Sequence, residues 1–258
     1  MKSIEKEIHL KTIGITKRFG GLVAVNHVNI NVMRKSITLL IGPNGCGKTT
    51  LVNTITGIYE PDEGEVYFEG KNITGLPPDR IYREGLVRTF QIPSPFTKLS
   101  VLDNLLVAAR DHPGEKFRTH LFRRSWIKTE EELINKAFEY LKILGLDKYW
   151  DREASELDAG GLKLLEIGRA LMSDARMIIL DEPIAGVNPR LAHNIFSHIV
   201  ELRNKLGITF MIIEHRLDIA LRYSDYVYAM NRGEIISSGT PDEIIRDEKV
   251  RSVYLGEV

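Results

Sequence analysis

The sequence predicts an α/β fold built around a mostly parallel sheet. Two observations carry this reading. Short apolar runs alternate with helical stretches after residue 170, and a glycine-rich loop stands between an apolar run and a helix-compatible run. The chain has 258 residues, 43% hydrophobic and 27% charged, which suits one core with a smaller appended lobe. That composition argues against a disordered or collagen-like chain. Lysine plus arginine total 35 and so do aspartate plus glutamate. A neutral balance gives no reason to expect nucleic acid or anionic lipid as a partner. No apolar run approaches the ~18 residues that span a bilayer. Met1 to Leu10 lacks the apolar core of a signal peptide. The one cysteine, Cys46, cannot form an internal disulfide, so a cytosolic protein is expected.

The elements follow in order. His9–Ile15, Ser36–Ile41 and Glu65–Phe68 read as strands, punctuated by turns at Gly20-Gly21 and at Asp62-Glu63-Gly64. From about residue 92 to 170 the pattern turns helical. Ser100 opens a helix that places Val101, Leu102, Leu105, Leu106 and Ala109 on one face. Thr129 and Glu132 form a capping-box pair, apolar residues repeat at helical spacing from Leu133 to Leu144, and Gly145 stops the run. Met177–Leu180, Ile208–Ile213 and Tyr226–Met230 are strands, with a helix near 190–205. Thr240, Pro241 and Glu243 start a last helix.

Gly42-Pro43-Asn44-Gly45-Cys46-Gly47-Lys48-Thr49 fits G-x-x-x-x-G-K-[ST] at every fixed position, and Thr50 follows. The context is the one that the chemistry needs. Glycines let backbone wrap a phosphate, N–H groups at the helix start point at the anion, and the helix dipole adds favourable potential. Lys48 reaches terminal phosphates, and the Thr49 hydroxyl can ligate Mg²⁺. Cys46 reads most simply as a small loop residue. A second part of the site is the apolar run Met177–Leu180, which ends in Asp181 and Glu182. One carboxylate can hold the Mg²⁺ shell while the other polarises an attacking water. His215 ends another apolar run, where a lone histidine is often only structural.

These residues resemble the ATP-binding-cassette family over nearly the whole chain. Gly42–Thr49 looks like its Walker A loop and Met177–Asp181 like Walker B, with Glu182 in the place of the catalytic glutamate. His215 matches the switch histidine. Gln91 matches the glutamine that senses Mg²⁺ and the γ-phosphate, and Phe19 matches the aromatic that stacks on adenine. The resemblance implies a P-loop NTPase core, an N-terminal antiparallel β subdomain and an inserted α-helical subdomain. All belong to one domain, with 1–91 and 171–258 as core and about 92–170 as the helical part. It also implies ATP and Mg²⁺ as ligands, membrane permeases and a second or paralogous ATPase as partners, and a place on the cytoplasmic face of the membrane. Phe19-Gly20-Gly21-Leu22, Arg88-Thr89-Phe90-Gln91, Asp181-Glu182-Pro183-Ile184-Ala185-Gly186-Val187-Asn188-Pro189 and Tyr254-Leu255-Gly256-Glu257 look like the ATPases of branched-chain amino-acid importers. The insert with Phe122 to Trp126 is similar to one of the two ATPases in those systems. A related importer for urea or another amide fits the same residues.

One stretch departs from the family. Its Leu-Ser-Gly-Gly-Gln signature should precede the helix Lys163–Met172, where this chain reads Leu157-Asp158-Ala159-Gly160-Gly161-Leu162. In the family this signature closes over ATP held by the other subunit. Asp158 then either faces phosphate, where an ionised carboxylate repels it, or simply caps a helix as well as serine does. Gly160 keeps its expected type. Asn188 stands where the family usually has aspartate. The basic stretch Lys116-Phe117-Arg118 with Arg123-Arg124 reads equally as a membrane or permease contact and as a solvated loop. The altered signature also admits a subunit that binds ATP without turning it over. A chromosome or repair ATPase would need a long coiled coil between the two Walker motifs, and no sustained heptad run is visible. A phosphoryl-transfer kinase has no role for the spacing of Gln91, the signature and His215.

Overall fold

The computed structural model describes residues 7–89, 94–110 and 127–255. Strands β1 (Ile8–Phe19) and β2 (Leu22–Met33) form an antiparallel hairpin across Gly20, whose φ of +56° suits the turn. Strand β3 (Ile37–Ile41) is buried at every position and leads into the phosphate loop and helix α1 (Lys48–Ile55). Strands β4 (Glu63–Phe68) and β5 (Lys71–Asn72) follow, then α2 (Pro78–Arg83), started by Pro78, and β6 (Leu86–Arg88).

Ser100 caps α3 (Val101–Leu106), its hydroxyl accepting from the Asp103 N–H at 3.0 Å. The helix ends before Ala109, which closes a tighter turn onto Leu106. Helix α4 (Ile127–Ile143) already runs at Thr129, so Thr129 lies inside it and is not its cap. Gly145, at φ +66°, stops it as expected, and the next N–H, that of Leu146, donates back to Leu141 at 2.8 Å. Helix α5 (Ala159–Met172) starts earlier than the sequence pattern suggests, because Asp158 caps it.

Strand β7 (Met177–Asp181), helix α6 (Pro189–Leu206), strand β8 (Thr209–Ile213), the short helix α7 (Leu217–Ala220) and strands β9 (Tyr226–Asn231) and β10 (Glu234–Gly239) complete the order. Helices α8 (Pro241–Arg246) and α9 (Glu248–Leu255) close it, and Thr240 and Glu243 form the expected capping box.

The chain divides into two compact units. One holds residues 1–88, 176–183 and 199–258, and the other holds 89–175 and 184–198. The first unit contains both sheets. The antiparallel sheet has the order β2-β1-β4-β5, and the larger sheet has the order β10-β9-β3-β8-β7-β6. Every pairing in the larger sheet is parallel except β9 with β10. Strands β3, β7 and β8 have no exposed position, which explains their unbroken apolar runs. Leu40, Leu51, Val52, Ile55, Ile179 and Ile213 form part of the core in which α1 is seated. In the second unit α3, α4 and α5 pack on one another, with Leu105, Leu141 and Leu165 fully buried.

Candidate functional site

The phosphate loop is shaped by backbone packing. A Cβ on Gly47 would lie 2.3 Å from the Ala24 carbonyl oxygen, and one on Gly42 would lie 2.2 Å from that of Met230. Gly47 also sits at φ +109°. No other residue type fits there without moving β2 or β9. The Gly233 N–H donates to the Cys46 carbonyl at 2.8 Å, which braces the loop on the turn between β9 and β10. Lys48 is buried, and its ammonium donates to the carbonyls of Gly42 at 2.8 Å and Pro43 at 2.9 Å. Cys46 is buried too. Burial raises its thiol pKa, with Lys48 opposing, so the group behaves as a small apolar filler.

The loop opens on a cavity of about 500 Å³, within the usual range for a small-molecule site. Seven of the expected residues line it: Phe19, Asn44, Gly45, Gly47, Lys48, Thr49 and Thr50. Glu182 and His215 stand in the same wall. The first N–H groups of α1 have no carbonyl to meet within the helix and suit an anion. Phe19 is 43% exposed, with its ring edge-on to Tyr59 at 5.2 Å. An exposed aromatic at a cavity mouth can stack on a base.

Glu182 follows β7 in a left-handed conformation, φ +51°, and its N–H donates to Ile213 at 3.0 Å. His215 Nε2 lies 2.5 Å from Glu182 Oε1. An ionised carboxylate only accepts, so Nε2 carries the proton in that pair. Asp181, at the end of β7, is buried and does not reach the cavity wall; its Oδ2 accepts from Arg88 at 2.8 Å. Arg88 also donates to Asn53 on α1. Among the described residues no group of three or more His, Cys, Asp or Glu could hold a metal ion. Mg²⁺ on a nucleotide needs only one or two protein oxygens beside the phosphates; Thr49, on the cavity wall, fits that need, while Asp181, behind the wall and held by Arg88, would reach the ion only through its water shell.

Asp158 and Gly160 lie in the second unit. Asp158 Oδ1 accepts from the Gly161 N–H at 2.7 Å, which is helix-cap geometry. A Cβ on Gly160 would meet the Leu191 side chain of α6 at 2.5 Å, so a larger residue there requires Leu191 to move. Asn188 does for α6 what Asp158 does for α5, accepting from the Leu191 N–H at 2.9 Å. Asp158, Asn188, Arg190 and His193 line a cavity of about 520 Å³ in this unit. Gln91 lies outside the described residues, as do Phe90, the basic stretch at 116–124 with Phe122 and Trp126, and Gly256-Glu257. Sequence reasoning did not assign Leu22, Val23, Ala24, Arg232 and Gly233, which also line the first cavity. Their signals were slight: Leu22 ends the Phe19-Gly20-Gly21-Leu22 run, and Arg232-Gly233 is a turn dipeptide.

The described helices include none long and apolar enough to cross a membrane. The ABC transporter family model matches residues 25–185, and the model for the branched-chain amino acid ATP-binding cassette transporter matches 234–258. The chain is 53% identical over 247 residues to the probable branched-chain amino acid transport ATP-binding protein LivG of Archaeoglobus fulgidus, covering 96% of this chain and 95% of that one. It is 39% identical over 249 residues to the high-affinity branched-chain amino acid transport ATP-binding protein BraF of Pseudomonas aeruginosa, covering 96% and 98%. The crystal structure of an ATP-binding cassette of an ABC transporter in its ADP conformation superposes with a TM-score of 0.85 at 50% identity, covering 97% of this chain and 99% of that one. A nucleotide-free cassette gives 0.82 at 49% identity, covering 96% and 99%. The chain belongs to the ABC transporter family as one of its ATP-binding ATPase cassettes.

Proposed function

We propose that this cassette energises an importer of branched-chain amino acids by ATP-driven closure with a second copy or a paralogue. The observation that carries the proposal is one cavity wall that unites Lys48 and Thr49 with the Glu182–His215 pair. The relatives' names supply the solute class. The whole chain, 1–258, then works as a single cassette against permease subunits on the cytoplasmic face of the membrane.

The phosphate loop and Lys48 bind the triphosphate, and Phe19 stacks on adenine. Glu182 polarises the attacking water, and His215 holds that carboxylate in place and steadies the γ-phosphate. Mg²⁺, when bound, would supply positive charge against that developing on the phosphates. The Thr49 hydroxyl would hold it directly and Asp181 through its water shell, with Gln91 the residue that the family resemblance assigns to sensing it. Asp158 and Gly160 belong to the surface that meets the other subunit's nucleotide. The cap geometry of Asp158 supports a structural role for its carboxylate there, which favours turnover over a non-hydrolysing regulatory subunit.

The test is reconstitution with the permease subunits of a branched-chain amino-acid importer. Leucine uptake and phosphate release that depend together on MgATP, and that vanish together in Glu182→Gln, support the proposal. Uptake that persists in that variant removes it.

A further inference from the structure

We infer that Arg232 is a second cationic contact for the nucleoside triphosphate, set in the same cavity as Lys48 by the turn between β9 and β10. The inference rests on the reading of the cavity as the nucleotide site. Arg232 and Gly233 make a two-residue hairpin, at φ +46° and +85°, flanked by the Asn231–Glu234 pair. Such turns prefer Asn-Gly, because the first central position is left-handed. An arginine there holds a conformation that its side chain disfavours, and strain of this kind concentrates at functional sites.

The turn is anchored on both sides. Gly233 donates to Cys46 in the phosphate loop and accepts from the Asn26 N–H on β2, each at 2.8 Å. Glu234, the adjacent acid, is engaged by the Asn26 side chain at 2.7 Å. Arg232 itself is exposed, lines the nucleotide cavity and makes no ion pair among the described residues. Lys48 differs in being buried and already bonded to two loop carbonyls. Glu182 is the one carboxylate among the described lining residues, and it is engaged by His215. A guanidinium at this place has phosphate as its natural partner, since planar donors match phosphate oxygens.

The experiment is calorimetric titration of MgATP into the parent, Arg232→Asn and Arg232→Lys. Asparagine suits the left-handed turn position, so the nucleotide-free Arg232→Asn protein melts no lower than the parent. At about 50 mM salt its Kd rises about three- to tenfold, and at about 0.5 M salt the gap closes to under about twofold, because an exposed charge is screened. Arg232→Lys keeps most of the affinity. Arg232→Asn binding as tightly as the parent at low salt overturns the inference. So does a gap that salt leaves unchanged, which marks an effect of shape. A parent that binds no MgATP overturns the nucleotide-site reading instead.

Discussion

His215 Nε2 and Glu182 Oε1 lie 2.5 Å apart although the residues are 33 positions apart in the chain. The parallel pairing of β7 with β8, with Asp181 opposite Ile213, brings the two strand ends together. Sheet register therefore sets the distance between base and partner, and the positive φ at Glu182 turns its side chain from the strand toward the cavity wall.

Glu182→Gln should bind ATP normally and release phosphate at least about 10²-fold more slowly. The amide oxygen still accepts from His215, so the geometry survives while the base is lost. Size-exclusion chromatography with ATP should show a trapped dimer. Turnover at the parent rate, with no dimer, contradicts the role given to Glu182.

Lys48→Ala should weaken MgATP binding by about 10²-fold or more, since a charge-assisted phosphate contact disappears. Two loop carbonyls, of Gly42 and Pro43, also lose their donor. The nucleotide-free melting temperature should therefore fall as well. Equilibrium binding that matches the parent would remove the phosphate-loop assignment.

Asp158→Ser should leave stability within about 0.5 kcal/mol, because serine caps equally well, whereas Asp158→Ala should lose about 1 kcal/mol. The ATP-dependent dimer constant, measured in the Glu182→Gln background, should shift less than about threefold in Asp158→Ser. Dimerisation that strengthens beyond this in Asp158→Ser would show that the carboxylate faces phosphate after all.

Stability should decline as the pH falls below about 6.5. Burial between Thr209 and Glu69 lowers the His9 pKa from 6.5 to about 4, aided by Arg34 and Arg176 and opposed by Glu69. Between those values the unfolded chain takes up a proton that the folded chain refuses. Stability is full above about pH 6.5 and falls toward pH 4, by up to about 3 kcal/mol. Urea midpoints from pH 7 to 5 should slope in the parent and flatten in His9→Gln. Equal slopes would refute the assignment to His9.

The phosphate loop and the acids after β7 were legible because each is contiguous and its chemistry depends on local spacing. The hairpin of β1 and β2 was half hidden. Along β2 the buried positions run Val25, Val28, Ile30, Val32, so the alternation skips a beat at His27, where φ is +49° and the ladder is irregular. A period-two search loses phase there. Strand β10 was hidden because its consecutive serines, Ser237 and Ser238, put a polar residue on each face and cut the apolar run short. The His9–Thr209 contact spans 200 positions at 2.7 Å, and nothing local announces it. Asp158 could be seen as either cap or phosphate neighbour; only the 2.7 Å bond to Gly161 displays the cap.

The one cysteine of this chain sits inside the phosphate loop, buried, with its carbonyl fastened to Gly233. Its raised thiol pKa makes it slow toward alkylating reagents while the loop stays folded. Each adduct then records one opening of the loop, and no other thiol adds background. Mass spectrometry of the intact protein, with and without nucleotide, becomes a direct counter of loop breathing that needs no engineered label.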